Sequence, residues 1–227
     1  MNLFSLLPES LVKAWWDSQW KKNKAAWNFG KKGRQDVREC LQFSPEDREA
    51  VKVLLARIQK THDLSKLGDD MKARRIMIEV LRLYPQPKSY RYDSDKHKVP
   101  EYWQSPAETI KDGTGDCDDW GILLYALLRE AGIPAYRLKA VVTMVRYKGK
   151  DQGLHFNLIY LAREDYEWYT MEGTWFPESA WQRFLHIPRS LSGDLYGGIR
   201  FTFNEEHAWA QEDLNVKPVF INPKKVL

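Results

Sequence analysis

The residue best suited to covalent chemistry is Cys117, one of two cysteines in the 227-residue chain. It follows a glycine-flanked turn, residues 113–116, and leads directly into the apolar helical pattern of residues 120–128. This predicts that Cys117 lies in the first turn of a buried helix, where free backbone amides and the helix dipole favour a thiolate. Cys40 lies in a charged segment without such a turn, so we expect it to be structural.

Three carboxylates, Asp116, Asp118 and Asp119, lie beside this cysteine and should disfavour a thiolate unless they are otherwise engaged. In one interpretation Asp116 is the helix N-cap and Asp119 the third helical residue, and both bind backbone amides. In the alternative, Asp116 and Asp118 coordinate a cation such as calcium, which would neutralise their charge near the sulfur.

A base for this thiol is available in His155, which lies in the alternating segment 154–160 that predicts a strand. A lone histidine on a strand is more often structural, but the helix-terminal cysteine upstream favours catalysis. If the next turn is centred between residues 163 and 164, Glu172 lies directly across from His155 and shares its face. We therefore predict a Cys–His–Glu triad in which Glu172 orients the base.

The pairing of His155 depends on this register. The same register pairs Phe156 with Met171 and gives the other face of the hairpin an apolar character. A turn displaced by one residue would place Thr174 or Thr170 opposite His155 instead.

The surrounding elements predict an α+β fold. The predicted helices are a first one through residues 11–20 that ends before Gly30, then 45–60, 66–83, 105–112, 117–131 and a short one at 177–185. The predicted strands are 136–147, 154–161, 167–172 and 199–203. Helices followed by consecutive strands indicate that the helix beginning at Cys117 packs on an antiparallel sheet.

The length is sufficient for one domain with an extension. We divide the chain into a basic, tryptophan-rich helical arm and a catalytic domain, at residues 1–34 and 35–227. Within the catalytic domain the predicted parts are a helical part, a connector, a catalytic core and a C-terminal tail, at residues 35–84, 85–104, 105–205 and 206–227.

The arm concentrates lysines and tryptophans. Either its tryptophans pack on the main domain, or residues 11–27 dock on a partner protein, an anionic membrane surface or nucleic acid. The net charge of +4, from 35 basic and 31 acidic residues, is far from the excess of a dedicated nucleic-acid binder. We therefore expect protein or membrane-surface docking and no nucleic-acid partner.

The compartment expected from the sequence is the cytoplasm. Two distant cysteines do not form a disulfide framework, which favours a reducing compartment. The N-terminus lacks the pattern of a secretory signal, and no segment approaches the roughly 18 apolar residues of a membrane span.

Four segments together resemble the transglutaminase-like superfamily: residues 115–119 (Gly-Asp-Cys-Asp-Asp), 127–135 (Leu-Leu-Arg-Glu-Ala-Gly-Ile-Pro-Ala), His155, and 172–175 (Glu-Gly-Thr-Trp). The nearest branch is that of the bacterial transglutaminase-like cysteine proteinases and related phage proteins. The resemblance covers residues 102–175 and includes the order cysteine, histidine, acid. It implies a papain-like core with the cysteine on a helix and the histidine and acid on neighbouring strands.

The resemblance also implies roles for flanking residues. It places Trp103 and Gln104 close to the site, where either would help the Cys117 amide hold an oxyanion. It also implies calcium at Asp116 and Asp118, although no cofactor is expected to be required.

The predicted activity is acyl transfer. The Cys117 thiolate attacks an amide carbonyl, His155 protonates the departing amine, and water resolves the thioester. We expect a cysteine peptidase acting on a protein or peptide, with Glu172 in place of the family's usual Asp. The alternatives are transglutaminase-type amine transfer, or a non-catalytic binding or structural protein, such as a phage or host-interaction module, that retains the fold. If the protein is phage-encoded, the alternative to a cytoplasmic location is association with the virion.

Overall fold

The computed structural model describes residues 7–18, 22–23, 26–28, 32–85, 88–147, 149–171, 174 and 196–210. The predicted orienting residue Glu172 and the predicted helix at residues 177–185 lie outside the described residues.

Helices make up one layer of the fold. In chain order the described helices are α1 (Glu9–Ser18), α2 (Pro45–Thr61), α3 (Asp69–Leu83), α4 (Asp93–Lys96), α5 (Pro106–Asp112) and α6 (Cys117–Glu130). The predictions of α2, α3, α5 and α6 are confirmed. Two of these helices begin with a serine cap, because Ser44 accepts the Asp47 amide at 3.1 Å and Ser105 accepts the Glu108 amide at 3.4 Å.

An antiparallel sheet makes up the other layer. The described strands are β1 (Lys22–Asn23), β2 (Ala26–Asn28), β3 (Arg34–Asp36), β4 (Leu138–Tyr147), β5 (Lys150–Leu161), β6 (Trp168–Met171), β7 (Tyr196–Phe203) and β8 (Ala208–Ala210). Six of them form one sheet in the order β1-β8-β7-β4-β5-β6, while β2 and β3 form a separate pair. The meander β4-β5-β6 and the packing of α6 on β4 and β5 confirm the predicted α+β fold.

The N-terminal helix α1 ends before Gly30, as the sequence predicts, but the rest of the described arm is not α-helical. α1 spans Glu9–Ser18, and β1 pairs with β8 at the edge of the sheet. β2 then pairs with β3. Residues 22–24 (Lys-Asn-Lys) interrupt the apolar periodicity, so a helix would gain little from packing there, and Lys22 and Asn23 pair with the edge strand β8. The pairing joins the predicted arm and tail to the main sheet, and the division into domains stays a prediction.

The arm packs on the domain through part of its apolar surface. Val12 is buried, the Trp16 ring meets the Trp168 ring edge-on with centroids 5.7 Å apart, and Trp27 contacts Phe201. Leu11 and Trp15, however, are 55% and 41% exposed. Docking of a partner through residues 11–27 stays a prediction.

The predicted register between β5 and β6 is wrong by two residues. Met171 pairs with Leu158 rather than with Phe156. The connection is wider than a tight turn, since the Ala162 amide donates to the Glu167 carbonyl. Asp70 of α3 holds this connection by accepting two of its backbone amides, those of residues 163 and 164, at 2.8 and 3.0 Å.

The core lies between α6 and the sheet. All residues of α6 from Asp118 to Leu128 are buried, and the helix contacts α2, α3, α5 and β5. No helix among the described residues is both long enough and apolar enough to cross a lipid bilayer.

Candidate active site

The structure places Cys117 at the first position of α6, with its side chain partly exposed. The backbone amide of Phe156 in β5 donates to the Cys117 sulfur at 3.4 Å. This amide and the positive end of the α6 dipole favour negative charge on the sulfur. The prediction that this cysteine opens a buried helix is confirmed.

His155 lies next to this contact. Because its Cα is two covalent bonds from the Phe156 nitrogen, it lies no more than about 6 Å from the Cys117 sulfur. His155 is only 2% exposed, and its carbonyl accepts the Thr143 hydroxyl of β4 at 3.4 Å. The structure therefore brings the backbone of His155 close to the Cys117 sulfur, and the roles of both residues stay predictions.

A glycine allows β5 to approach α6 this closely. The Phe156 ring lies against the backbone of Gly121, where an added Cβ would be 2.3 Å from a ring carbon. The ring also contacts Trp103 edge-on, with centroids 5.4 Å apart. The absence of a side chain at Gly121 thus positions the Phe156 amide near the sulfur.

Gln104 is close to the site, but its side chain is engaged. It is 1% exposed, and its amide nitrogen donates to the Thr114 carbonyl at 3.1 Å and to the Asp119 carboxylate. Its oxygen accepts from the Lys96 ammonium at 2.6 Å. The indole nitrogen of Trp103 donates to Glu101. The predicted oxyanion roles of Gln104 and Trp103 would require these bonds to be released.

Asp119 binds backbone amides, which is the structural role that the first interpretation of the sequence gives it. Its carboxylate accepts the backbone amide of Asp116 at 3.1 Å and that of Gln104 at 2.7 Å. Gly115 makes room for it, since an added Cβ would lie 2.5 Å from an Asp119 carboxylate oxygen. Asp119 therefore joins the turn before Cys117 to the connector.

A buried acidic cluster surrounds the start of α6. Its members are Asp93, Glu101, Asp116, Asp118 and Asp119. Carboxylate oxygens of Asp93, Glu101 and Asp118 lie within 4.8 Å of one another, as do those of Asp93, Asp116 and Asp119. One oxygen on each of Asp93, Asp116 and Asp118 is buried and has no hydrogen-bond partner. Buried carboxylates with unpaired oxygens are costly unless they bind a proton or a cation.

The pKa values of the cluster reflect this cost. Burial and then the charge of Asp119 raise the pKa of Asp93 to about 8. Burial raises the pKa of Asp119 to about 6, against the opposing effect of the bonds from Gln104. Burial and neighbouring carboxylates raise the pKa of Asp116 and Asp118 well above the ordinary range.

The acidic cluster fits the chemistry of calcium, which prefers carboxylate oxygens. Asp116 and Asp118 were predicted as ligands from the sequence, whereas Asp93 and Glu101 were not. These two acids come from the polar connector, where no ligand spacing distinguishes them from solvated acids.

Two tyrosines of the connector also approach the site and were missed from the sequence. Tyr90 forms a parallel bridge with Gly115, two residues before Cys117. Burial and then the Cys117 sulfur raise the pKa of both Tyr90 and Tyr92. No sequence pattern identifies them, because their position depends on the path of the connector.

Two other features lie away from this chemistry. The Cys40 thiol donates to the Val37 carbonyl at 3.0 Å, and burial raises its pKa. A cavity of about 710 Å³ lies near the other end of α6, where Ala126 and Arg129 contribute to its lining. The cavity is lined by none of the predicted site residues.

Comparisons with known proteins agree with this fold. A family model for the transglutaminase-like superfamily matches residues 57–212, well over half of the chain. No curated protein matches the chain.

Similar solved structures include three of LapG from Legionella pneumophila. The first is 19% identical, with a TM-score of 0.49 over 77% of this chain and 85% of that one. An EGTA-treated form is 18% identical, with a TM-score of 0.51 over 79% and 86%. A calcium-bound form is 22% identical, with a TM-score of 0.43 over 70% and 88%. At these identities the EGTA-treated form supports the fold alone, while the family match shows that the chain belongs to the transglutaminase-like superfamily.

Proposed function

We propose that the protein is a thiol acyl-transfer enzyme that cleaves an amide bond in a protein or peptide. The observation that carries this proposal is the position of the Cys117 sulfur, at the start of α6 and within hydrogen-bonding distance of the amide that follows His155. A thiol at a helix N-terminus that pairs with an imidazole is the arrangement that activates a cysteine nucleophile, and His155 is the proposed source of that imidazole.

In the proposed reaction, the Cys117 thiolate attacks the amide carbonyl carbon and the carbonyl electrons move to oxygen. Collapse of this intermediate expels the amine, which takes its proton from His155, and leaves a thioester on Cys117. Water, deprotonated by His155, then releases the acid. Glu172 is the proposed orienting group for His155 because it matches the family order cysteine, histidine, acid; the observed strand register does not support a position directly across from His155.

Calcium is the proposed ion of the acidic cluster. Asp93, Glu101, Asp116 and Asp118 would hold it, since three of these acids have a buried oxygen without a partner. A bound divalent cation would offset the negative charge beside Cys117 and so favour the thiolate. The residues of this chain, rather than the ion, perform each step of acyl transfer.

The test uses casein as the protein probe and dansylcadaverine as the amine probe, with either calcium chloride or EGTA. We expect the wild type to cleave casein and Cys117→Ala to lose at least about 10³-fold of that rate, since the nucleophile is removed. Cys40→Ala is the matched control and should retain activity. Mass spectrometry distinguishes new peptide termini from dansylcadaverine incorporation.

If dansylcadaverine is incorporated and casein is not cleaved, the reaction at Cys117 is amine transfer rather than hydrolysis. Cleavage that persists in Cys117→Ala would contradict the proposed function. A wild type without either reaction, in calcium or in EGTA, would favour the non-catalytic alternative.

A further inference from the structure

A second group of metal-binding side chains lies where the N-terminal helix meets the sheet, and it shares no residue with the acidic cluster at α6. Its members are Asp17 near the end of α1 and Glu206 and His207 in the turn between β7 and β8. One ligand atom from each lies within 4.8 Å of the other two. An imidazole nitrogen together with two carboxylate oxygens is a donor set that zinc accepts in proteins.

The spacing of these atoms fits a zinc ion. The His207 Nε2 atom lies 3.6 Å from an Asp17 oxygen and 3.9 Å from a Glu206 oxygen. Zinc binds such atoms at about 2.0–2.2 Å in a tetrahedral arrangement, which places two ligand atoms about 3.4 Å apart. Side-chain movements of a few tenths of an ångström would therefore close the group around one ion.

The Asp17 carboxylate has an open acceptor at this place. Asp17 is 6% exposed, and one of its oxygens accepts from the Lys13 ammonium at 2.9 Å, while the other is buried without a hydrogen-bond partner. Buried carboxylates are usually paired or bind a metal ion. Lys13 also donates to the Glu206 carboxylate, so one ammonium charge lies between two carboxylates. A divalent cation in its place would balance both of them.

An ion can reach this group from solvent. The side chains of Lys13, Glu206 and His207 are 36%, 39% and 27% exposed, so the Asp17 carboxylate becomes accessible when the Lys13 ammonium moves outwards. The lysine stem is long and flexible, which allows this movement. The turn itself is held in place, because the Asn204 side-chain oxygen accepts the amides of residues 206 and 207 at 2.9 and 2.7 Å.

We propose that Asp17, Glu206 and His207 form a zinc site, in which the ion displaces the Lys13 ammonium and ties α1 to the β7–β8 turn. Three protein ligands leave the fourth tetrahedral position to water. This ion has no part in acyl transfer, and the site is independent of the proposed function. Zinc binding should strengthen the attachment of the arm, since one ligand comes from the arm and two come from a turn of the main sheet.

The test measures metal binding by the full chain in excess calcium, with Cys117→Ala as the parent protein so that this thiol does not bind the probe. With cobalt chloride, we expect one bound ion with a visible spectrum of tetrahedral type and no sulfur-to-cobalt charge-transfer band. Calorimetry with zinc chloride then measures the affinity of the parent and of each variant.

Three variants distinguish a zinc site from an ordinary ion pair. His207→Gln removes a ligand and should weaken zinc binding by at least about tenfold, since losing even a partner of a metal ligand costs about 10- to 100-fold. Asp17→Asn should weaken binding in the same way. Lys13→Met removes the competing ammonium and should tighten binding by about 2- to 10-fold, because the ion no longer has to displace two partly exposed ion pairs.

His62→Gln is the matched control. The His62 side chain is 26% exposed, close to the value for His207, and it also lies beside a buried carboxylate, that of Glu79. The neighbours of Glu79 include Arg75 and Arg82, which oppose a cation, so this variant should leave zinc binding unchanged. Circular dichroism in EDTA verifies that each variant is folded.

A parent protein that binds no zinc would overturn the proposal. Zinc affinity that is unchanged in both His207→Gln and Asp17→Asn would overturn it as well, and so would weaker binding by Lys13→Met. An equal loss of affinity in His62→Gln would also overturn it, because the ion would then bind elsewhere.

Discussion

The two cysteines occupy different environments. Cys117 lies at a helix terminus and accepts an amide N–H, which favours the thiolate. Cys40 donates its own S–H to the Val37 carbonyl, and burial raises its pKa. The reactivity of Cys117 can therefore be compared with that of Cys40 in the same molecule.

This contrast predicts selective alkylation. With iodoacetamide at pH 6, we expect Cys117 of the native protein to react at least about tenfold faster than Cys40, because the thiolate is the reacting form. Peptide mapping by mass spectrometry measures both rates in one sample. In the denatured protein the two rates should converge, and a native Cys117 that reacts no faster than Cys40 would contradict the activated-thiol hypothesis.

The sequence supports prediction of the residues that depend on local context. The glycine turn and helical pattern locate Cys117 at a helix start, and the spacing from Asp116 identifies Asp119 as a capping acid. Tyr92 and Asp93 escape prediction, because they approach Cys117 only through the pairing of the connector with Gly115. Such long-range backbone pairing has no signature within a single segment.

At the scale of elements, the site depends on the distance between α6 and β5. Gly121 is a position at which the two elements approach closely, because the Phe156 ring occupies the space of a side chain there. The same contact places the Phe156 amide at the Cys117 sulfur. The contact between Gly121 and Phe156 thus contributes both to helix–sheet packing and to the site geometry.

A methyl group at this position should separate the two elements. We expect Gly121→Ala to destabilise the protein by about 1–3 kcal/mol, the usual cost of overpacking, although alanine favours a helix more than glycine does. Casein cleavage should fall further than stability alone explains, because the Phe156 amide moves from the sulfur. Chemical denaturation and activity at a temperature where the variant is folded measure the two effects.

Gly68→Ala is the matched control for this change. A Cβ at Gly68 would meet no atom within 4 Å, so that variant should keep its activity and lose no more than about 1 kcal/mol, the cost of alanine in place of glycine at the N-cap of α3. Retention of full stability and activity by Gly121→Ala would show that the close approach of β5 is not required.

The elements themselves differ in how far their sequences specify them. The serine caps and following prolines of α2 and α5 specify their first turns, and the structure confirms both. The β5–β6 register is not specified locally, since Asp70 of α3 holds the wide connection between these strands. The arm after α1 is likewise not specified locally, since β1 depends on the edge of β8 as its partner.

At the scale of the whole molecule, five carboxylates converge in one interior region, while the Lys96 ammonium binds Gln104 and the Thr114 carbonyl. The acids come from the connector and from the start of α6, so their mutual repulsion opposes the closure of the connector over the site. Protons relieve this repulsion at low pH, and a calcium ion would relieve it at neutral pH. The free energy of unfolding should therefore depend on pH and on calcium through these five carboxylates.

The sign of the pH effect follows from the pKa of Asp93, which is raised to about 8. An unfolded Asp releases its proton near pH 4, so between about pH 4 and 8 the folded protein binds more protons than the unfolded chain. The contribution of Asp93 to stability is complete below about pH 4 and is lost as the pH rises through about 8. Asp47 and Glu108, whose pKa values are lowered by hydrogen bonds that outweigh burial, change stability at more acidic pH and do not oppose this trend.

We therefore expect the melting temperature in EGTA to fall between pH 5 and pH 8, and calcium to restore it most strongly at pH 8, where the acidic cluster has lost more of its protons than at pH 5. Calcium at a hundred times its dissociation constant should add about 2.7 kcal/mol to the free energy of unfolding, which raises the melting temperature by about 5–10 °C for a chain of this size.

Asp118→Asn should reduce both the pH dependence of the melting temperature and its increase with calcium, because it removes one charge and one ligand oxygen. Asp151→Asn, a control at an exposed pair with Arg146, should change neither. Differential scanning fluorimetry across pH, with calcium or EGTA, measures all four responses. The prediction would be contradicted if the wild-type melting temperature rose towards pH 8 in EGTA and did not change when calcium was added. The buried carboxylates would then ionise without a cost to stability, so another group would have to neutralise their charge.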